Sequence, residues 1–317
     1  MGIFANPLTD LLEYEDFSRD FLKGTDPVGM TGCIDSEKVH FMSTFLGEKK
    51  VQLVVTYNEQ RAREIEEDYK LFCSQVYVIP PRDLIFFSAD LQGNAIIAER
   101  MKAFAALYQN EAKVIITTID ALMSAAVPFE QLMGHVIKLK EGDELDLEKL
   151  KHDLTVMGYE RVGRVEEPGQ FTVHGGIADV YPLTMEVPVR IELWGDEIDT
   201  IRCFEPQSQR SMDQIESVSV FPAAEVIADD TARRRAVGMI QNELESQLAV
   251  FKKAKEPDKA KRLREETNRI LEALGEDVVL EAPDSYISYF YPRTVRLSVY
   301  FDENNNLVIL DEPILLK

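Results

Sequence analysis

The feature that most constrains this chain is a set of short apolar runs, each followed by a stretch with apolar residues at helical spacing. Val51-Gln52-Leu53-Val54-Val55-Thr56 is nearly continuous in apolar side chains, the pattern of a strand buried on both faces. Residues 37–46 before it read as helix. Asn58 after it offers an N-cap to a helix with Ala62, Ile65, Tyr69 and Phe72 on one stripe. A second short strand is expected at Val76-Tyr77-Val78-Ile79, stopped by Pro80-Pro81. A helix around 94–109 carries Ile97, Met101, Phe104 and Tyr108, and a strand follows at Val114–Thr118. Strands alternating with amphipathic helices predict a doubly wound, parallel α/β unit.

From about Pro128 the rhythm changes. One helix, roughly Leu145 to Met157, precedes short segments broken at Pro168-Gly169, Gly175-Gly176 and Gly195-Asp196. In Val189-Arg190-Ile191-Glu192-Leu193-Trp194 apolar side chains alternate with mostly polar ones, which predicts an antiparallel sheet with one solvated face. Residues 229–275 then read as a charged helical hairpin broken at Pro257, with Met239, Ile240, Leu244, Leu248 and Phe251 on one stripe and Leu263, Ile270, Leu271 and Leu274 on the other. The expected division is an α/β subdomain at 1–126, an inserted α+β domain at 127–211, and a second part of the α/β domain with the hairpin at 212–317.

Between the first expected helix and what precedes it lies Gly29-Met30-Thr31-Gly32-Cys33-Ile34-Asp35-Ser36. A phosphate-binding loop of the form G-x-x-x-x-G-K-[ST] needs glycines that aim N–H groups at phosphate, a Lys on the terminal phosphates and a hydroxyl on Mg²⁺. Gly29 and Ser36 stand at the first glycine and the hydroxyl, and Gly32 adds a turn. Ile34 and Asp35 stand where the second glycine and the lysine belong, and a carboxylate there repels polyphosphate. The loop is expected not to hold ATP productively; on this stretch alone, an ordinary turn before a helix is the plainer reading. Leu307-Val308-Ile309-Leu310-Asp311-Glu312 is an apolar strand ending in two acids, the way an NTPase presents a Mg²⁺ ligand and a water-orienting carboxylate. Asp311 and Glu312 also fit a strand running into an acidic turn.

The formal charge of −21 leaves the chain without a general means of neutralising phosphates, so protein partners are expected in preference to DNA or RNA. Cys33, Cys73 and Cys203 lie far apart, without metal-ligand spacing, and read as reduced thiols. His40, His135, His152 and His174 have no sequence partner that marks a catalytic system. No metal site, cofactor or catalytic set is expected. Met1–Pro7 shows no leader pattern and no run is long enough to span a membrane, so a cytoplasmic chain is expected. Ile314-Leu315-Leu316-Lys317 is apolar, which points to a longer parent.

Residues 158–182 are the most informative stretch. Arg161, Arg164, Phe171 and His174 are aromatic and planar cationic side chains of the kind that anchor protein interfaces. Residues 127–211 carry 17 acids against 9 Lys and Arg, which favours a protein partner for any such patch. A hairpin with exposed basic residues is the other reading.

The run Gly158-Tyr159-Glu160-Arg161-Val162-Gly163-Arg164 through Gly175-Gly176-Ile177-Ala178-Asp179-Val180-Tyr181-Pro182, with Arg190–Arg202 and Phe204–Arg210, closely resembles the N-terminal region of bacterial transcription-repair coupling factors (Mfd). That region is itself similar to the excision-repair helicase UvrB, and the resemblance covers nearly the whole chain. It implies a UvrB-like, helicase-type α/β fold with a degenerate phosphate loop and an inserted antiparallel domain. UvrB keeps a complete loop, whereas Ile34 and Asp35 place this chain with the coupling factors. The resemblance implies a non-catalytic module that recruits UvrA in nucleotide excision repair, without ATP hydrolysis of its own. It carries Arg161, Arg164, Phe171, His174 and Asp179 over as UvrA-binding candidates, with His174 standing where the family shows Arg. It further implies masking by the C-terminal domain of the parent chain, and contact with RNA polymerase and DNA only through parts of the parent that are not in this sequence. The alternative is a UvrB-type ATPase or helicase fragment.

Overall fold

The computed structural model describes residue 8 and residues 12–23, 27–82, 92–227, 229–275, 286–302 and 305–316. The segment 1–7, read above for a leader, and Lys317 lie outside the described residues. The chain forms two compact units. The first comprises Met1–Pro81, Ala103–Ser124 and Leu297–Lys317, and the second Arg82–Lys102 and Ala125–Arg296.

The first unit is built on a four-stranded sheet in the order Asn306–Leu310, Val51–Thr56, Val114–Thr118, Val76–Ile79, with every neighbouring pair parallel. All side chains of Val51–Thr56 and Val114–Thr118 are buried, as the unbroken apolar runs require. Gln52, the polar residue inside the first run, is satisfied on both ends of its amide. Its Nε2 donates to the Met42 carbonyl at 3.0 Å, and its Oε1 accepts from the Tyr69 hydroxyl at 2.9 Å. Burial raises the pKa of that hydroxyl, so Tyr69 serves as a neutral donor. The expected cap forms: Asn58 Oδ1 accepts from the Arg61 N–H at 2.8 Å and starts the Glu59–Lys70 helix. That helix lays Ala62, Ile65 and Tyr69 against Val54, Val76, Val78, Val114 and Ile116.

The second unit holds a six-stranded sheet in the order Ser211–Gln214, Glu197–Phe204, Val189–Trp194, Ile177–Val180, Gln170–His174, Glu160–Arg161. It is antiparallel except for its last pair. The Leu147–Val156 helix, capped by Asp146, adds Leu150 and Leu154 to a core with Phe171, Val173, Val180, Ile191 and Ile201. Ile137–Lys140 pairs with Ser217–Val220, so hydrogen bonding carries this part of the chain past residue 211. Between helix and sheet, Gly158 turns at φ +90°, and a Cβ there would lie 2.8 Å from that of Ala224; only glycine fits.

The hairpin consists of Asp230–Ala254, capped by Asp229, and Pro257–Gly275. Lys255 closes the first helix in the left-handed region at φ +58°, and Pro257, which lacks an N–H, begins the second. No helix among the described residues is long and apolar enough to cross a membrane.

A buried ion pair ties the unit internally. Arg100, with no exposed surface, grips both carboxylate oxygens of Glu225, one through Nε and the other from Nη2 at 3.0 Å. Burial alone would raise the Glu225 carboxyl, but the guanidinium holds it below its ordinary value. Its folded pKa is therefore depressed, and its contribution to stability is present above the unfolded value near 4.5 and lost as pH falls below it. Arg100→Met should cost about 3–5 kcal/mol in urea unfolding at pH 7, because it strands a buried charge. Arg100→Met/Glu225→Leu should recover most of that loss and remove part of the acid sensitivity seen in melting curves.

Candidate functional site

In the first unit the loop and the acidic end of the edge strand come together through two cations. Gly32 turns the chain at φ +89°, and Ile34 enters the Asp35–Ser43 helix in an extended conformation. The helix N-terminus is already served by its own carboxylates: Glu37 Oε2 accepts from the Ile34 N–H at 3.3 Å, and Asp35 lies in the same turn. Asp35 sits at φ +34°, a conformation a short polar side chain tolerates better than a lysine. Ser36 Oγ donates to Asp68 at 3.2 Å.

Asp311 follows the edge strand, its N–H donating to the Val55 carbonyl at 2.9 Å. Its carboxylate is only 7% exposed. One oxygen accepts from Lys38 Nζ at 3.3 Å, and the other from Thr56 Oγ1 at 3.0 Å and Arg61 Nε at 3.2 Å. Lys38 also donates to Glu312, and Arg61 to Glu64 at 3.0 Å, with Asp35 at 3.8 Å from the same guanidinium. The hydrogen bond to Glu312, opposed by burial and helped by Asp311, raises the pKa of the Lys38 ammonium. Both oxygens of the only buried acid in this cluster are thus engaged by protein donors.

In the second unit the five sequence-derived residues separate. Arg161 is exposed on the sheet's edge strand. Arg164 is exposed and folds onto the Glu205–Gln209 turn, donating to the Gln207 carbonyl, with Glu166 at 3.2 Å from its Nε. His174 is exposed at the Gly175-Gly176 turn. Arg161 is paired with Phe171, three positions from His174, so the two lie about 10 Å apart along the strand. Phe171 and Asp179 do not face solvent. Phe171 is fully buried in the sheet core because its strand position alternates inward. Asp179 is buried beneath a bidentate pair with Arg190, at 2.8 and 2.7 Å, and the Arg190 guanidinium lies 4.8 Å from the Phe204 ring centroid. The expectation that Phe171 and Asp179 touch a partner directly is corrected, because neither offers its side chain to solvent.

The same end of the sheet as His174 carries an aromatic that sequence reading passed over as part of a strand. Trp194 is 85% exposed at the Gly195-Asp196 turn. The Leu193 N–H donates to the Gly176 carbonyl at 2.8 Å, which sets the two turns side by side and brings Ile177, 40% exposed, to that end.

Residues 137–225 match the UvrB interaction domain family. The span begins with the Ile137–Lys140 strand and ends at Glu225, so it holds the whole six-stranded sheet. Over 97% of its length the chain is 30% identical to the transcription-repair-coupling factor of Bacillus subtilis. The Staphylococcus epidermidis protein of that name is 29% identical over 98% of the chain, and the Staphylococcus haemolyticus one 33% identical over 72%. Over nearly its whole length the chain is similar to a part of the transcription-repair-coupling factors, and within it lies the match to the UvrB interaction domain. The chain spans about a quarter of the length of these curated relatives, 26% of the first two and 19% of the third.

The sequence reading singled out the loop and the acidic pair but not Lys38 or Arg61, which join them in the structure. Their only signal is position: Lys38 stands three residues after Asp35, and Arg61 begins the helix that Asn58 caps. Arg61→Met should lower stability by about 2–4 kcal/mol, because buried Asp311 loses a charged donor. Lys38→Met, at the exposed side of the cluster, should cost less than about 1 kcal/mol. Urea titrations of the two variants beside the wild-type chain check the ranking.

Proposed function

We propose that this chain is a non-catalytic docking module that recruits UvrA to the parent coupling factor in nucleotide excision repair. The observation that carries this reading is the pairing of Asp311 with Lys38, Thr56 and Arg61. Three protein donors, two of them cations, take three of the roughly four acceptor sites of that carboxylate and neutralise the charge that would draw Mg²⁺. With Asp35 at the lysine position and Glu37 on the helix N-terminus, the phosphate loop is degenerate, and the unit is a scaffold without ATP hydrolysis. The match to a UvrB interaction domain supports the partner. The surface is the exposed basic edge at Arg161 and Arg164, with His174 at the other end of the sheet, while Phe171 and Asp179 shape it from within. In this reading the inserted domain is masked at rest by the parent's C-terminal domain. The translocase activity, contact with RNA polymerase and contact with the duplex DNA along which a translocase moves belong to the remainder of the parent.

Calorimetric titration with UvrA from the same organism should show saturable binding by the wild-type chain and loss of at least about 1–2 kcal/mol of binding free energy in Arg161→Ala/Arg164→Ala. Circular dichroism should stay unchanged, since both side chains are exposed. Wild-type affinity in the double variant would remove this surface from the reading. Ile34→Gly/Asp35→Lys should not create ATP binding, because a lysine at φ +34° is strained and Lys38 and Arg61 still occupy Asp311. Micromolar ATP affinity in either form, by equilibrium dialysis, contradicts the non-catalytic assignment.

A further inference from the structure

The helical hairpin carries a charge opposite to that of the chain. Residues 252–264 hold seven Lys and Arg against two acids, within a protein of net charge −21. The buried residues of the hairpin are Ala236 and Ile240 in the first helix and Thr267 and Leu274 in the second, all away from the tip. From Gln241 to Glu266 no side chain is buried, and all seven cations are exposed. Lys259 pairs with Glu256 at 2.9 Å, and Lys261 lies 3.9 Å from Glu265. Lys252, Lys253, Lys255, Arg262 and Arg264 make no ion pair among the described residues.

These charges surround a groove. Where the two helices meet, a cavity of about 630 Å³ is lined by Leu248 and Phe251 and by Lys252, Lys255, Lys261 and Arg264, with Glu256 and Glu265, each paired with a lysine, also on its wall. The left-handed turn at Lys255 and the start at Pro257 set the helices into this geometry. We propose that the tip of this hairpin is a binding site for a single strand of nucleic acid, with phosphates on the free cations and a base against Phe251.

Net charge is the reason to expect the opposite, but it acts poorly at a distance. At physiological salt the screening length is about 8 Å, so an incoming phosphate responds to the tip and only weakly to acids farther along the chain. Cations beside an aromatic floor are the combination that holds single strands, because every base presents a π face. Five of the seven cations are lysines, mobile point charges that suit phosphates in variable positions more than the fixed geometry of one carboxylate. An acidic protein segment is the competing occupant.

The test is fluorescence anisotropy of a labelled oligothymidylate titrated with the whole chain, from low to physiological salt. Saturable binding is expected at low salt, with log affinity falling against log salt at a slope of roughly −2 to −3.5, as three to five phosphate contacts on a single strand give. Lys252→Glu/Lys255→Glu/Arg264→Glu should weaken binding about tenfold or more and flatten the slope. Its melting curve should match the wild type, since these side chains are exposed. Phe251→Ala should weaken binding several-fold while leaving the slope unchanged. Absence of saturable binding at the lowest salt, or wild-type affinity in the triple variant, overturns the proposal. So does an unaltered affinity in Phe251→Ala, or binding of polyglutamate where oligothymidylate fails to bind.

Discussion

A carboxylate buried at the end of a parallel strand has to be neutralised, and in the first unit that requirement organises everything around it. Asp311 leaves the edge strand with its N–H still in the sheet ladder and its side chain turned inward. Desolvating a lone carboxylate there would cost several kcal/mol, so donors must converge on it. Thr56 comes from the neighbouring strand, Arg61 from the helix after it and Lys38 from the helix before it. One charge thereby fixes the relative placement of two strands and two helices. A metal ion serves the same electrostatic need in an active nucleotide site. Here Lys38, Thr56 and Arg61 supply it.

The second unit solves the same problem twice more. Asp179 in the middle of the antiparallel sheet is met by the fork of Arg190, itself laid over Phe204, and Glu225 is met by Arg100. In each case arginine provides a planar, bidentate partner whose donors need no rearrangement. These pairs explain how a chain with so many acids keeps a dry interior: the buried acids are matched one by one, and the surplus stays at the surface. They also explain why Asp179 belongs inside. Its register across from Thr172 and Arg190 sets it on the same side of the sheet as His174 and Trp194, beneath the Arg190 guanidinium.

Much of this was legible in the amino-acid order. The runs Val51–Thr56 and Val114–Thr118 carried their burial in composition, Asn58 announced a helix start, and the alternation in Val189–Trp194 announced a sheet with one wet face. What stayed hidden were contacts between residues far apart in the chain. Lys38 and Asp311 are separated by 273 positions, and nothing in either neighbourhood names the other. Phe171 was legible as an aromatic near arginines but not as a core residue, because its side of the strand depends on a register set by the partner strand. Trp194 shares the outward phase of the Val189–Trp194 alternation with Arg190 and Glu192, and its large exposed ring beside the turn was not singled out in the sequence.

The position of the Asn306–Leu310 strand has a consequence for how the protein behaves at high concentration. It is an outer strand of the parallel sheet, and Val308 and Leu310 remain about half exposed. Such a strand offers a row of free backbone donors and acceptors beside apolar side chains, a template on which another extended segment can grow. The Leu-Val-Ile-Leu run is followed at once by Asp311 and Glu312. Asp311 is turned inward, but Glu312, half exposed at the strand's end beside Lys38, puts charged groups where uncontrolled strand addition would otherwise extend.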